Sequence, residues 1–138
     1  MSFITDFDFR SAIRSYQINE IVEGDHTLID IAINNAIAEM KPYLFRYDVD
    51  FIFSRQGEER DSLLVRFAVD IAIYELICIA RPDQDADSRE FRYKRAIDWL
   101  KQVRDERIPC ALPLLKEEQQ SGALLVEQSS NPKRNNYY

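Results

Sequence analysis

Apolar residues recur at helical intervals in four stretches of the chain, each bounded by polar residues or proline. In the first, Phe9, Ala12, Ile13 and Tyr16 follow the i, i+3, i+4, i+7 pattern of one helix face. Thr5 is placed to cap this helix, with Asp8 three residues on. Ile4 and Phe9 then take the two ends of a hydrophobic staple, and Gly24 closes the unit. The second stretch opens at Thr27, with Asp30 repeating the capping pattern. It carries a seam of Ile29, Ile33, Ala36, Met40, Tyr43 and Tyr47, broadened by Leu28, Ala32, Ile37 and Leu44. Pro42 lies inside it and removes a backbone donor, so the pattern predicts a kink or an early end. The segment from Arg46 to Arg60 reads as a polar loop anchored by Phe51, Ile52 and Phe53.

The third stretch, Asp61 to Ala80, has almost no polar face: Leu63, Leu64, Phe67, Ala68, Ile71, Ala72, Tyr74, Leu76, Ile77 and Cys78 encircle it. A helix apolar nearly all round belongs in the middle of a bundle or an oligomer. The fourth starts near Asp87-Ser88-Arg89-Glu90 and runs to about Arg107. It turns Tyr93, Ala96, Ile97, Leu100 and Val103 inward and sets Glu90, Lys94, Asp98, Lys101 and Asp105 along an outer charged stripe. Pro109 and Pro113 end the helical pattern. The expected organisation is therefore an all-α bundle of about four principal helices over residues 1–108, with an extended C-terminal tail over 109–138. In that tail Leu124, Leu125 and Val126 are a candidate short strand or docking segment, and order would come from docking on another surface.

Composition removes several classes of function. The 138 residues include three glycines at no phosphate-loop spacing, one histidine, and two cysteines 32 positions apart. No glycine-rich cofactor cradle and no multi-histidine or cysteine metal framework can be built from these, so neither cofactor nor metal is expected. No stretch free of charge exceeds eight residues, which excludes a membrane span. No basic segment leads into an apolar one at the start, so no signal peptide is expected, and two separate cysteines suit a reducing cytosol. Eighteen basic and 24 acidic residues give a net charge of −6, all of it carried before Pro109. Such a body does not grip a phosphate backbone. The eight phenylalanines and seven tyrosines fall mostly at helical core positions and read as packing rather than base-stacking platforms.

Chemistry-bearing residues are few. Asp83, Asp85 and Asp87 begin like a calcium loop, but the positions that need glycine and glutamate hold Ser88 and Lys94. Asp70 and Glu75 interrupt the apolar third helix. Five residues apart, they project from different sides of it and do not form an acid–base pair. Between Tyr74 and Leu76, Glu75 is the carboxylate expected to be buried, with Arg66, Arg92 or Arg95 as partner. His26 beside Asp25 lacks a nucleophile, since Cys78 is expected inside its helix and Cys110 in the tail.

In their order along the chain, these segments resemble a known family. The carriers are Leu28-Ile29-x-Ile31-Ala32-Ile33-x-x-Ala36-Ile37, Tyr43-Leu44-x-Arg46-Tyr47, Leu63-Leu64-x-x-Phe67-x-x-Asp70-Ile71-Ala72 and Arg92-Tyr93-x-x-Ala96-Ile97-x-Trp99-Leu100. The chain is similar to the small Mu-like prophage proteins, which look like helical head–tail connector, or head-completion, proteins of tailed phages. Pro42 departs from the uninterrupted helix expected there. The resemblance implies a structural subunit and not an enzyme. Copies of the chain would form a ring below the portal protein, extend the DNA channel and dock the tail proteins. DNA would pass without specific binding and no membrane would be involved. The subunit would sit in the bacterial host cytoplasm during assembly and at the head–tail junction of the virion. Residues expected in protein contacts are Phe51, Ile52 and Phe53, Glu75, and the closing Asn131, Pro132, Lys133, Arg134, Asn135, Asn136, Tyr137 and Tyr138. A rival reading is a small helical adaptor or regulatory protein that binds another protein through the seam of the second helix. A second rival is an enzyme using Asp70, Glu75 or the Asp83–Asp87 cluster.

Overall fold

A computed structural model describes residues 3–80 and 87–115. Among them the chain is all-α, with five α-helices: α1 (Ser15–Val22), α2 (Thr27–Met40), α3 (Val49–Ser54), α4 (Ser62–Ala80) and α5 (Asp87–Arg104). Short 3-10 turns cover Asp8–Ser11, Lys41–Leu44 and Gly57–Glu59. The bundle is built around α4, which packs against α2 on one side and α5 on the other, with the N-terminal segment and α1 closing the remaining side. The all-round apolar pattern has this consequence: ten of the 19 residues of α4 are buried, more than one face could hold.

The N-terminal pattern is realised in two pieces. The Asp8 carboxylate accepts from the Thr5 amide at 2.8 Å, and Ile4 and Phe9 are both fully buried. Thr5 does not cap a helix, however: its hydroxyl donates to Asp8, and the 3-10 turn that follows starts after Phe7. The helix does not continue. Arg14 is extended, and its amide donates to Gln17 Oε1 at 3.1 Å, which starts α1 afresh. Ile18, Ile21 and Val22 then face the core, while Tyr16 is 69% exposed. Glu23 and Gly24 both hold a positive φ at the end of α1, a position that suits glycine. Thr27 does not cap α2: it is the first helical residue, and its amide and hydroxyl both donate to Asp25 Oδ1.

Proline acts on α2 as the pattern predicts. The helix ends at Met40 and passes into a 3-10 turn with Pro42 in its first turn, where a missing donor costs little. The seam of α2 is consumed within the bundle, since Ile29, Ala32, Ile33, Ala36 and Met40 are all buried. The loop of 46–60 contains α3, capped by Asp48 accepting from the Phe51 amide. Helix α5 stops at Arg104, three residues early. There Glu106 takes the left-handed conformation, and the amides of Glu106 and Arg107 donate to the carbonyls of Val103 and Gln102.

The start of the expected tail folds back onto the body. Leu112 is buried, and Leu114 forms an antiparallel bridge with Tyr47. The Asp48 amide donates to the Pro113 carbonyl at 2.9 Å, and the Leu115 amide to that of Arg46 at 3.2 Å. Up to Leu115, order comes from the chain's own bundle. The candidate segment Leu124–Val126, the cluster residues Asp83 and Asp85, and Asn131 to Tyr138 lie outside the described residues.

Candidate functional site

Helix α4 carries the two carboxylates that the sequence singles out, and the structure exchanges their roles. Asp70 is 3% exposed, whereas Glu75 is only half-buried. The reason lies in helical geometry. Asp70 falls on the side of α4 that meets α5, one turn from Arg66, and Glu75 falls on the side toward α2. The arginines expected to serve Glu75 gather round Asp70 instead. Arg92 Nη1 lies 3.8 Å from Oδ1, and Arg95 Nη2 lies 3.9 Å from Oδ2. Arg66 and Arg89 add their fields. Arg89 also donates to the Ala12 carbonyl at 3.1 Å, tying α5 to the N-terminal segment.

Asp70 forms part of the wall of a cleft of about 430 Å³ lined also by Ser11, Ala12, Ser62, Val65, Arg66 and Arg92. Its Oδ2 is buried without a hydrogen-bond partner. Burial raises the Asp70 pKa above the usual carboxylate range, against the pull of Arg92, Arg95, Arg66 and Arg89. Four guanidinium groups round one carboxylate leave the cleft strongly positive. The side chains of Arg92 and Arg95 are each 44% exposed and so available to a further anion.

A second polar group forms where α2, α4 and α5 meet. Tyr74 and Tyr93 stack with ring centroids 4.5 Å apart, and the Tyr93 hydroxyl donates to Glu39. Burial and the Glu39 bond together push the Tyr93 phenol well above its ordinary range. Glu75 stands next to Glu39, and partial burial followed by that like charge raises its pKa too. Cys78 is exposed rather than inside its helix, one turn beyond Tyr74. This group is acidic and aromatic.

A third group holds the N-terminal segment in place. Arg60 binds both Asp8 oxygens, at 2.8 and 3.1 Å, and donates to the Phe3 carbonyl at 2.8 Å. Burial works to raise the Asp8 carboxyl, but the Arg60 hydrogen bonds, the Thr5 amide and the Arg60 charge outweigh it and hold it below its ordinary value.

The remaining expected residues scatter. Ile52 is core, Phe53 packs edge-on against Phe3 at 5.0 Å, and Phe51 is exposed with the Arg55 guanidinium over its ring at 4.7 Å. The apolar anchor of 51–53 is thus mainly internal. His26 is exposed at the start of α2, and Cys110 packs partly buried against the core beside Tyr47. Among the described residues no group of three or more His, Cys, Asp or Glu could hold a metal ion, and no helix is long and apolar enough to cross a membrane. The arginine cluster is not evident as a unit in the sequence. Its signal is there, in Arg89, Arg92 and Arg95 at three-residue spacing and in Arg66 four before Asp70.

No curated protein and no solved structure matches the chain. The family model described as Bacteriophage Mu, Gp36 matches residues 3–127, which takes in the bundle, the three polar groups and the segment docked at Leu112, and the chain therefore belongs to that Mu phage family.

Proposed function

We propose that the chain is a noncatalytic structural subunit of the phage head–tail connector, forming a ring below the portal that extends the DNA channel and docks the tail. The observation that carries this reading is the family match across residues 3–127, which makes the chain a phage protein over nearly its whole length. The physical features agree with it. The polar groups are ion pairs and surface clusters suited to contacts with other proteins. The net charge of −6 is that of a wall that repels phosphates and lets DNA slide. The adaptor alternative loses its binding surface, because the seam of α2 is already filled by the chain's own core.

A phage lacking this chain tests the proposal. The expected outcome is DNA-filled heads and free tails accumulating separately in the host, with the purified chain restoring joined particles. Tailed infectious particles in its absence would overturn the reading.

A further inference from the structure

The two polar faces have opposite sign and share two helices. On α5, Arg92 and Arg95 lie on one flank of the buried stripe of Ala96, Leu100 and Val103, while Tyr93 and Glu90, the latter paired with Lys94 at 2.9 Å, lie on the other. Arg89 stands in line with the stripe at the start of the helix. On α4, Asp70 turns toward the arginines and Glu75 toward Glu39. Neither face is neutral within the chain. One carboxylate stands among four arginines, and Glu75 has the like-charged Glu39 as neighbour. Each face also has an exposed apolar residue within one helical turn: Leu63 before Arg66, Phe91 before Arg95, and Ile79 after Glu75. Arginine, tyrosine and an exposed aromatic are residue types that concentrate binding energy at protein contacts, and the carboxylates supply the complementary charge.

We infer that the arginine face of one copy binds the Glu39–Glu75–Tyr74–Tyr93 face of the next, making these two surfaces the head-to-tail contact of the assembly. The inference rests on the proposed ring. A closed ring of identical subunits requires two different, mutually complementary faces on each copy, and placing both on α4 and α5 sets them rigidly relative to one another. The contact relieves both faces, since the arginines gain carboxylates and Glu75 gains a counter-charge for its neighbour. It also accounts for a cluster of arginines on a chain whose body is net acidic. Seated between copies, they do not face a DNA channel.

Charge reversal tests this with the full chain. Sedimentation velocity at low salt is expected to show concentration-dependent self-association that weakens as salt rises. Arg92→Glu or Glu75→Arg alone is expected to weaken it at least about tenfold, and an equal mixture of the two variants to restore it, since each places its reversed charge opposite the other's. Arg92→Ala and Glu75→Gln, which neutralise without reversing, give intermediate loss and serve if a reversal disturbs folding. Wild-type chain that stays monomeric, reversals that associate like wild type, or a mixture that does not recover each overturns the inference. So does an Arg92→Glu variant that loses affinity for a duplex DNA probe while its self-association is unchanged. Assembly on purified portal separates the two levels. Wild-type assembly on portal that survives both reversals removes these faces and leaves the connector reading standing. Charge-swapped self-association without any portal assembly does the reverse.

Discussion

At the residue scale the fold depends on a few charged groups whose surroundings differ. Arg60 and Asp8 are 15% and 12% exposed, they bond through two oxygens, and Arg60 also holds the Phe3 carbonyl. Removing one partner leaves the other buried and unpaired, so Arg60→Ala is expected to cost about 3 kcal/mol in urea unfolding at neutral pH. Asp8 has a depressed folded pKa, so its contribution is present above the unfolded value and is lost as pH falls through the folded one. Stability of the wild type should therefore drop in acid below about pH 4 more steeply than that of Arg60→Ala, which lacks the interaction to lose. Glu75 has the opposite sign. Its raised pKa means that the ionised form carries a cost in the folded state, relieved as pH falls through the folded value. Glu75→Gln is thus expected to leave the melting temperature of the isolated chain unchanged or slightly higher, and a marked loss would show an attractive partner there. The Thr5–Asp8 hydrogen bonds and the burial of Ile4 and Phe9 are readable in the sequence because they depend on local spacing. Local spacing cannot rank Asp70 above Glu75. Both have apolar neighbours in sequence, and which of them is covered is set by the angle at which α5 crosses α4.

At the element scale, periodicity locates the helices and fails where tertiary contacts override it. α4 and α5 stand within a few residues of their expected bounds, and Pro42 ends α2 where its missing donor requires. The stripe through Phe9, Ala12, Ile13 and Tyr16 breaks at Arg14, because Arg60, 52 residues away from Asp8, fixes the first turn while α1 restarts with its own cap. No local signal carries that bond. α3 is invisible to periodicity for a related reason: at six residues it is too short to show a period, and it is held by Ile52 in the core and Phe53 against Phe3. The segment of 108–115 reads as free tail because its two prolines forbid helix. They do not forbid docking, and Leu112 is the residue that does it. Truncating Leu112→Ala removes most of that buried side chain and leaves a cavity on the side of the core that Ile52 also lines, so a loss of about 2–3 kcal/mol is expected by denaturant unfolding. If stability is unchanged, the docked segment contributes nothing to the fold, and the boundary at 108 regains its meaning.

At the scale of the whole molecule, the charge arithmetic and the fold point to the same division of labour. The body carries all of the −6, yet it gathers four arginines round Asp70 where α4 meets α5 and sets Glu39 and Glu75 together where α2 meets α4. The charge total is legible in the sequence, but its segregation is not, since Arg92 and Tyr93 are sequence neighbours parted only by the helical turn. Beyond Leu115 the chain is neutral overall, and the family match continues to 127, so the family includes twelve residues past the docked segment, 116–127. Residues 3–80 and 87–115 already enclose an extensive buried core. Truncation after Leu115 should therefore leave the melting temperature within about 2 °C of the full chain, since no buried apolar contact among the described residues is removed. Its effect should fall on assembly: co-sedimentation with purified portal is expected to be lost or strongly weakened, because Asn131 to Tyr138 offers two tyrosines and two basic residues to a partner. Retained portal binding by the truncated chain would remove the tail from the interface and leave the two faces of α4 and α5 as its contacts. A folded truncation that self-associates but no longer binds portal would instead assign neighbouring copies to the helical faces and the portal to the tail.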